Sequence, residues 1–209
     1  MENLKGVPVV ISAFGGVGKG AIINELVKDE EYVFSISATS RKMRKEDIEG
    51  KTYFFKTREE FENMIRRNEL LEWVEFCGNY YGTPKGYIEQ QMNDNKNVLL
   101  DIEEVGAIKI KETYKDVALI YVMPPSLEEL IFRLKKRGET EKYINTRIAK
   151  AKQQVGLVDY YDYIIINDKL NVAIQEIKNI VKTSKQKVVK NKELIGRIKE
   201  ELENVKTII

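Results

Sequence analysis

Lys19 stands at the end of a glycine-rich string, AFGGVGKGA, in which Gly15, Gly16 and Gly18 alternate with Ala13, Phe14, Val17 and Gly20. A loop of this kind can turn successive backbone N–H groups toward a di- or triphosphate, because glycine has no Cβ to block the approach, while the lysine reaches the outer oxygens. Neither Gly20 nor Ala21 offers a hydroxyl that could hold a magnesium ion. Further along, Arg41 and Arg44 are three residues apart in a basic loop. Two guanidinium forks at that spacing can converge on one phosphate, although a solvated loop with scattered charge gives the same string. Glu72 shares an expected strand face with Leu70, Val74 and Phe76, a costly place for a carboxylate unless it meets paired N–H donors. Asp101 and Glu103 sit two residues apart at the end of an apolar run, where carboxylates organise magnesium or cap a following helix. Arg133, Arg137 and Arg147 flank a turn at Gly138; they suit a lid that closes over phosphates, or a helical hairpin with solvated charge.

These groups need elements to position them. Val9, Val10 and Ile11 form a β-branched run ahead of the loop, and Ile22, Ile23 and Leu26 recur behind it at helical spacing, so the order is strand, loop, helix. Residues 34–38 (FSISA) alternate as a strand that runs into the basic loop, and residues 53–55 form a short aromatic strand. Thr57 with Glu60 predicts a capping box for a helix carrying Phe61, Met64 and Ile65. Residues 70–76 (LLEWVEF) predict a strand, residues 77–84 (CGNYYGTP) a turn with two tyrosines and a threonine, and Pro84 the start of a helix. Residues 97–102 and 118–123 are near-continuous apolar runs, the pattern of strands covered on both faces of a parallel sheet. Ser126 with Glu129 predicts a second capping box, and residues 163–167 a last strand ending in Asn167 and Asp168. Strands alternating with helices predict an α/β fold with a mainly parallel sheet, whose ligands lie at the carboxyl ends of the strands.

A chain of 209 residues is long enough for one domain with small inserted lobes. Its charges nearly cancel at a formal +2, so charge does not point to a nucleic-acid partner. The absence of histidine excludes histidine triads, histidine metal sites and imidazole bases. The single cysteine, Cys77, allows no internal disulfide. With no apolar leader and no run of ~18 apolar residues, the expectation is a soluble, cytoplasmic protein without a membrane contact. From residue 184 onward lysine and glutamate dominate, yet Val181, Val188, Ile195, Leu202 and Ile209 recur every seven residues, with Ile198 and Val205 between. Such a stripe packs on the body or on a second copy, giving a homodimer through the C-terminal helix, or else belongs to a solvated, frayed helix.

The glycine loop resembles a P-loop. Together with the SxxxRxxR stretch, Tyr53, the LEW segment, GNYYGT, the strand ending in Asp101, PPSLEEL, the RG turn and the terminal ND, it resembles guanylate kinase over roughly residues 9–181. The resemblance implies a P-loop NTPase-type fold within residues 1–183, with a small GMP-binding lobe at about 35–84, a helical lid at about 134–149, and a separate helical tail at 184–209. It implies transfer of the ATP γ-phosphoryl group to GMP or dGMP. On that pattern Ala13 through Gly20 and Asn167 bind ATP. Arg41, Arg44, Tyr53 and Tyr81 hold the GMP phosphate, and Ser37, Glu72 and Thr83 read guanine with Glu103 nearby. Lys19, Arg41, Arg133, Arg137 and Arg147 surround the migrating group, while Asp101 orients Mg2+ through water. The departures are Ala13 for the usual first glycine of the loop, Phe14 and Gly15 for Pro-Ser, Asp47 for glutamate, Glu46 for glycine, Glu103 for aspartate, and the missing loop hydroxyl. The alternative is a non-catalytic module of the same family that binds nucleotide or acidic peptide.

Overall fold

The computed structural model describes residues 5–205 of the chain. β1 (Pro8–Ala13) is buried nearly throughout and delivers the glycine loop into α1 (Lys19–Leu26), whose Ile22, Ile23 and Leu26 return to the sheet. There follow β2 (Tyr32–Phe34), β3 (Ala38–Thr39), β4 (Phe54–Phe55), α2 (Arg58–Arg66), β5 (Leu70–Phe76), β6 (Asn79–Pro84) and α3 (Lys85–Asn93). The second half runs β7 (Asn97–Asp101), α4 (Glu104–Thr113), β8 (Ala118–Met123), α5 (Leu127–Lys136), α6 (Glu141–Gln154), β9 (Tyr163–Ile166), α7 (Leu170–Lys185) and α8 (Lys192–Asn204).

The main sheet has the order β2-β7-β1-β8-β9 and every pairing in it is parallel. Its central strands are apolar because both faces are covered. On one side Ile22, Leu26, Leu130, Leu134, Ile144 and Ile177 pack from α1, α5, α6 and α7; on the other Ile88, Ala107 and Ile110 pack from α3 and α4. Parallel strands share a carboxyl edge, so the ends of β1, β7, β8 and β9 gather the glycine loop, Asp101 and Asn167. A second sheet, β4-β3-β6-β5, forms a small lobe around Ala38, Phe61, Leu70 and Tyr80, with the Phe61 and Tyr80 rings stacked at 5.3 Å. No helix among the described residues is long and apolar enough to cross a membrane.

Several local expectations are revised. The strand expected at residues 34–38 is two strands in two sheets: Phe34 ends β2, and after Ser35 donates its N–H to the Leu99 carbonyl, Ala38 opens β3. Of the turn expected at residues 77–84, only Cys77 and Gly78 turn, with φ of 48° and 73°. Two left-handed residues match the twist of a tight hairpin, so the rest of the segment pairs as β6. A register shift between Leu70 and Trp73 breaks the expected alternation of β5. Leu70 and Leu71 are both buried, whereas Val74 and Phe76 are exposed. The capping box at Thr57 and Glu60 is complete, but Ser126 only accepts from the Glu129 N–H, because the Glu129 carboxylate turns to Arg133 instead.

The seven-residue stripe of the tail does not lie on one helix. α7 carries Val181 into the core and ends at Lys185; a short turn at Val188–Lys190 then redirects the chain into α8. Val188 and Leu202 are exposed, and Ile209 lies outside the described residues. Lys190 anchors the turn through an ion pair with Asp116 and a hydrogen bond to the Gly6 carbonyl.

Candidate active site

α1 begins with its first N–H groups uncapped: its N-cap residue is Gly18, and its first turn holds no acid. Unsatisfied donors at the positive end of a helix form an anion site. Gly18 is held at φ 105°, and a Cβ there would lie 2.8 Å from Asn167 Nδ2, so both conformation and contact require glycine. Asn167 is buried and donates to the Val17 carbonyl at 2.8 Å. Arg133 donates to that same carbonyl at 3.2 Å and to the Asn167 carbonyl at 2.7 Å, while its Nε meets Glu129 at 2.6 Å. Loop and β9 end are thereby tied together.

Lys19 forms an ion pair with Asp101 at the end of β7. An ammonium has three donors, so two remain for phosphate oxygens. A cavity of about 320 Å³ lies over the loop, lined also by Glu103, Glu104, Arg137, Arg147, Lys150 and Gln154. Arg147 bonds the Tyr143 hydroxyl and lies 4.7 Å from that ring's centroid, and Lys150 pairs with Glu103 at 2.7 Å. Lys19, Arg137 and Arg147, expected to handle ATP, thus line one cavity with the loop, whereas Asp101, Arg133 and Asn167 lie outside its lining.

The lobe holds the other group. Arg41 grips Asp47 with both terminal nitrogens, at 2.8 and 3.2 Å, and Asp47 also accepts from the Arg44 N–H at 2.7 Å. Arg41 first, and then that N–H, hold the Asp47 carboxyl below its usual range. The Arg41 guanidinium lies 5.5 Å from the Tyr53 centroid, and Tyr53 meets Tyr81 edge-on at 5.9 Å. Arg44 is exposed beside them. Ser37 is half-buried just before β3, with its carbonyl accepting from Phe54. Thr83 donates to Glu72 at 2.6 Å.

Val74 and Phe76, on the face of β5 that carries Glu72, are exposed and give it no apolar cover, and the register shift sets Leu70 apart from it. Its apolar setting comes from the core: its second oxygen lies against Gly106 of α4, within 3.5 Å of where a Cβ would stand. Burial pushes its carboxyl above the ordinary value, with Thr83 and Lys109 opposing. Glu72 thus stands where the lobe meets the main body. Glu103, expected near guanine, is exposed and turned to Lys150.

Asp101 and Glu103 are carboxylates near the loop, and no hydroxyl accompanies them at Gly20 or Ala21. Among the described residues no group of three histidine, cysteine or acidic side chains is placed to hold a metal ion. This donor set suits a hard divalent cation that takes most of its oxygens from phosphate and water. The sequence reading missed Asp47 as the partner of Arg41, and missed Glu104 and Gln154 in the cavity. The spacing Arg147, Lys150, Gln154 along one helix face was the available signal for the last.

Residues 5–184 match the family model described as guanylate kinase. The guanylate kinase of Bacillus anthracis is 46% identical over 184 residues, spanning 87% of this chain and 90% of that protein. The guanylate kinase of Clostridium tetani is 41% identical over 197 residues, spanning 94% and 95%. The crystal structure of guanylate kinase from Anaplasma phagocytophilum superposes with a TM-score of 0.66 at 31% identity, covering 88% of this chain and 89% of that one. Matches that run through both the loop and the lobe, over nearly all of each relative, place this chain in the guanylate kinase family.

Proposed function

We propose that this protein is an ATP-dependent kinase that converts GMP, and dGMP, to the diphosphate. The observation that carries this reading is one chain holding both an uncapped glycine loop with Lys19 beside Asp101 and a half-buried Glu72 oriented by Thr83. Residues 13–20 take the ATP phosphates on backbone N–H groups, with Lys19 at the outer oxygens. Glu72 accepts from N1–H and the 2-amino group of guanine, a donor pair that adenine lacks, and Thr83 and Ser37 complete the base contacts. Arg41, Arg44, Tyr53 and Tyr81 hold the GMP phosphate, and Asp47 presets Arg41 for it.

An oxygen of that phosphate attacks the γ-phosphorus as the bond to the β–γ bridging oxygen breaks. Such transfer needs in-line placement and neutralised charge more than proton shuttling, so a site without histidine suffices. Arg137 and Arg147 supply that charge. Arg133, committed to Val17, Asn167 and Glu129, holds the loop instead of the migrating group. A magnesium ion held through water by Asp101, with Glu103 near, would neutralise charge on the β- and γ-phosphates. Asn167 acts through the loop beside the adenine.

Residues 35–84 serve as the GMP lobe, 134–149 as the lid, and 184–209 as a tail whose exposed Leu194, Ile198 and Leu202 support pairing with a second copy. Its lone thiol and its substrates suit the cytoplasm. The non-catalytic alternative is not favoured, because the loop lysine and its carboxylate are both present in a chain whose relatives are named as kinases. A coupled assay of ADP release with GMP, dGMP, AMP and UMP over graded magnesium tests the proposal. Turnover with GMP and dGMP alone is expected; none with GMP at any magnesium level overturns it. Removal of residues after Asn191 is expected to abolish dimers in sedimentation and leave turnover unchanged.

A further inference from the structure

The foot of α6 rests on a carboxylate that the phosphoryl-transfer scheme does not use. Glu104, at the first turn of α4, is 5% exposed, and its Oε1 accepts from Gln154 Nε2 at 2.8 Å and from the Tyr121 hydroxyl at 3.1 Å. Tyr121 is fully buried on β8, and its ring meets Phe14 of the phosphate loop edge-on at 5.3 Å. Burial and the adjacent carboxylate raise the Tyr121 hydroxyl well above its ordinary value, so it remains a donor.

One helix face continues the pattern. Arg147, Lys150 and Gln154 follow one another at intervals of three and four, so they project on the same side of α6. Lys150 meets Glu103, Gln154 meets Glu104, and Arg147 lies over Gly15. A Cβ at Gly15 would come within 2.9 Å of Arg147 Nη1 and 3.1 Å of its Cδ. Phe14 and Gly15 of the loop both touch this assembly: one packs on Tyr121 and the other leaves room for the arginine.

We propose that Glu104 is a positioning residue for the ATP side of the site, fixing the foot of α6 through Gln154 and hence the point, two turns earlier, at which Arg147 crosses the phosphate loop. A helix carries such a constraint as a rigid rod over that span, about 10 Å. The inference rests on the reading that the loop holds a triphosphate whose outermost group meets Arg147. Disturbing the foot therefore penalises a ligand with a γ-phosphate and spares one without it.

The test measures affinity by calorimetry for ADP and for the non-hydrolysable ATP analogue with an imido β–γ bridge. It compares wild type, Gln154→Glu, Gln154→Ala, Glu104→Gln, and the double variant carrying Glu104→Gln with Gln154→Glu. Gln154→Glu sets two carboxylates against each other and is expected to weaken the triphosphate analogue about tenfold, with ADP changed less than about twofold. The double variant restores a carboxylate–amide pair and is expected to recover the analogue to within about threefold of wild type. Gly15→Ser, which crowds Arg147 directly, is expected to cost the analogue a similar factor and to add little to Gln154→Glu.

Equal weakening of both ligands overturns the inference, as does a double variant that regains melting temperature without regaining the preference for the triphosphate. Gln154→Ala supplies the same comparison if Gln154→Glu fails to fold. Turnover of GMP by the wild type, measured on the same preparations, reports separately on the kinase reading. An inactive wild type with an intact swap effect defeats that reading alone, and an active wild type with no swap effect defeats this one.

Discussion

The loop-bearing edge of the main sheet and the small lobe are held together by pairs of very different reach. At the edge, Lys19 meets Asp101 across 82 positions, Arg133 meets Val17 across 116, and Asn167 meets Val17 across 150. In the lobe, Arg41 meets Asp47 six residues on, and Glu72 meets Thr83 eleven residues on. The edge stands on a doubly covered parallel sheet; the lobe stands on the cluster of Ala38, Phe61, Leu70 and Tyr80. The edge is thus assembled only with the whole fold, while the lobe presets its groups locally on a thin core. Thin cores open at low free-energy cost, so the lobe is the part expected to move when ligand arrives.

The sharpest way to break this comparison is at the ion pair of the edge. Asp101→Asn is expected to lower turnover by about 10² to 10³, the scale on which a preorganised electrostatic group acts. GMP affinity by calorimetry should stay within about twofold, because the lobe's pairs are its own. Parallel loss of GMP binding would mean that edge and lobe are one unit.

Glu72→Gln probes the lobe. Losing charge-assisted hydrogen bonds to guanine is expected to cost about 1.5 to 3 kcal/mol, roughly ten- to a hundredfold in GMP affinity, with ATP affinity little changed. The wild type adds a pH signature. Burial raises the Glu72 carboxyl above 4.5, and only its ionised form accepts both donors. GMP affinity is therefore full above the raised value and falls as pH drops through it, starting at a higher pH than for an exposed carboxylate. The unliganded fold has the opposite sign: Glu72's contribution to stability is full below 4.5 and is lost as pH rises through the raised value. A GMP affinity that follows pH equally in wild type and Glu72→Gln would remove Glu72 from the base contact.

Smaller effects sharpen the picture on each side. A Cβ at Gly20 would meet nothing within 4 Å, so Gly20→Ser fits and returns a hydroxyl to the loop. The magnesium concentration for half-maximal turnover should fall severalfold, about 1 kcal/mol of added ordering. No shift would show that water already fills the role. Trp73, 43% exposed and edge-on to Tyr80 at 5.7 Å, is the chain's single indole. Its emission should change by some tens of per cent on adding GMP and not on adding UMP. A flat titration under saturating conditions would argue for a lobe that does not move.

The same difference in reach explains what could be read in the sequence. The glycine loop, the apolar runs of β7 and β8 and the Thr57 capping box follow from local pattern, and each forms as expected. The split of residues 34–38 between two sheets was not legible, because the hydrogen bond from Ser35 to Leu99 that ends β2 depends on a strand some sixty residues away. The faces of β5 misled for a related reason: its register shift places Leu70 and Leu71 both inward, which no alternation rule encodes. Glu104 looked like one more acid at a helix start. Its burial requires Tyr121 and Gln154, 17 and 50 residues distant. Elements set by local pattern were visible, whereas pairings, from the six-residue one of Arg41 with Asp47 to the fifty-residue one of Glu104 with Gln154, needed the fold.

The Lys190 anchor has a bearing on how the molecule can be held. It grips Gly6 and Asp116, which precede β1 and β8, so the root of the tail lies at the amino ends of the strands while the phosphate loop lies at their carboxyl ends. The six residues of β1 separate the two by roughly 20 Å. Whatever grasps α8, whether a scaffold, a support resin or another copy, presents the nucleotide mouth to the opposite hemisphere. The tail is therefore a handle on the back of the catalyst, through which the protein can be tethered and crowded side by side with every mouth still facing solvent.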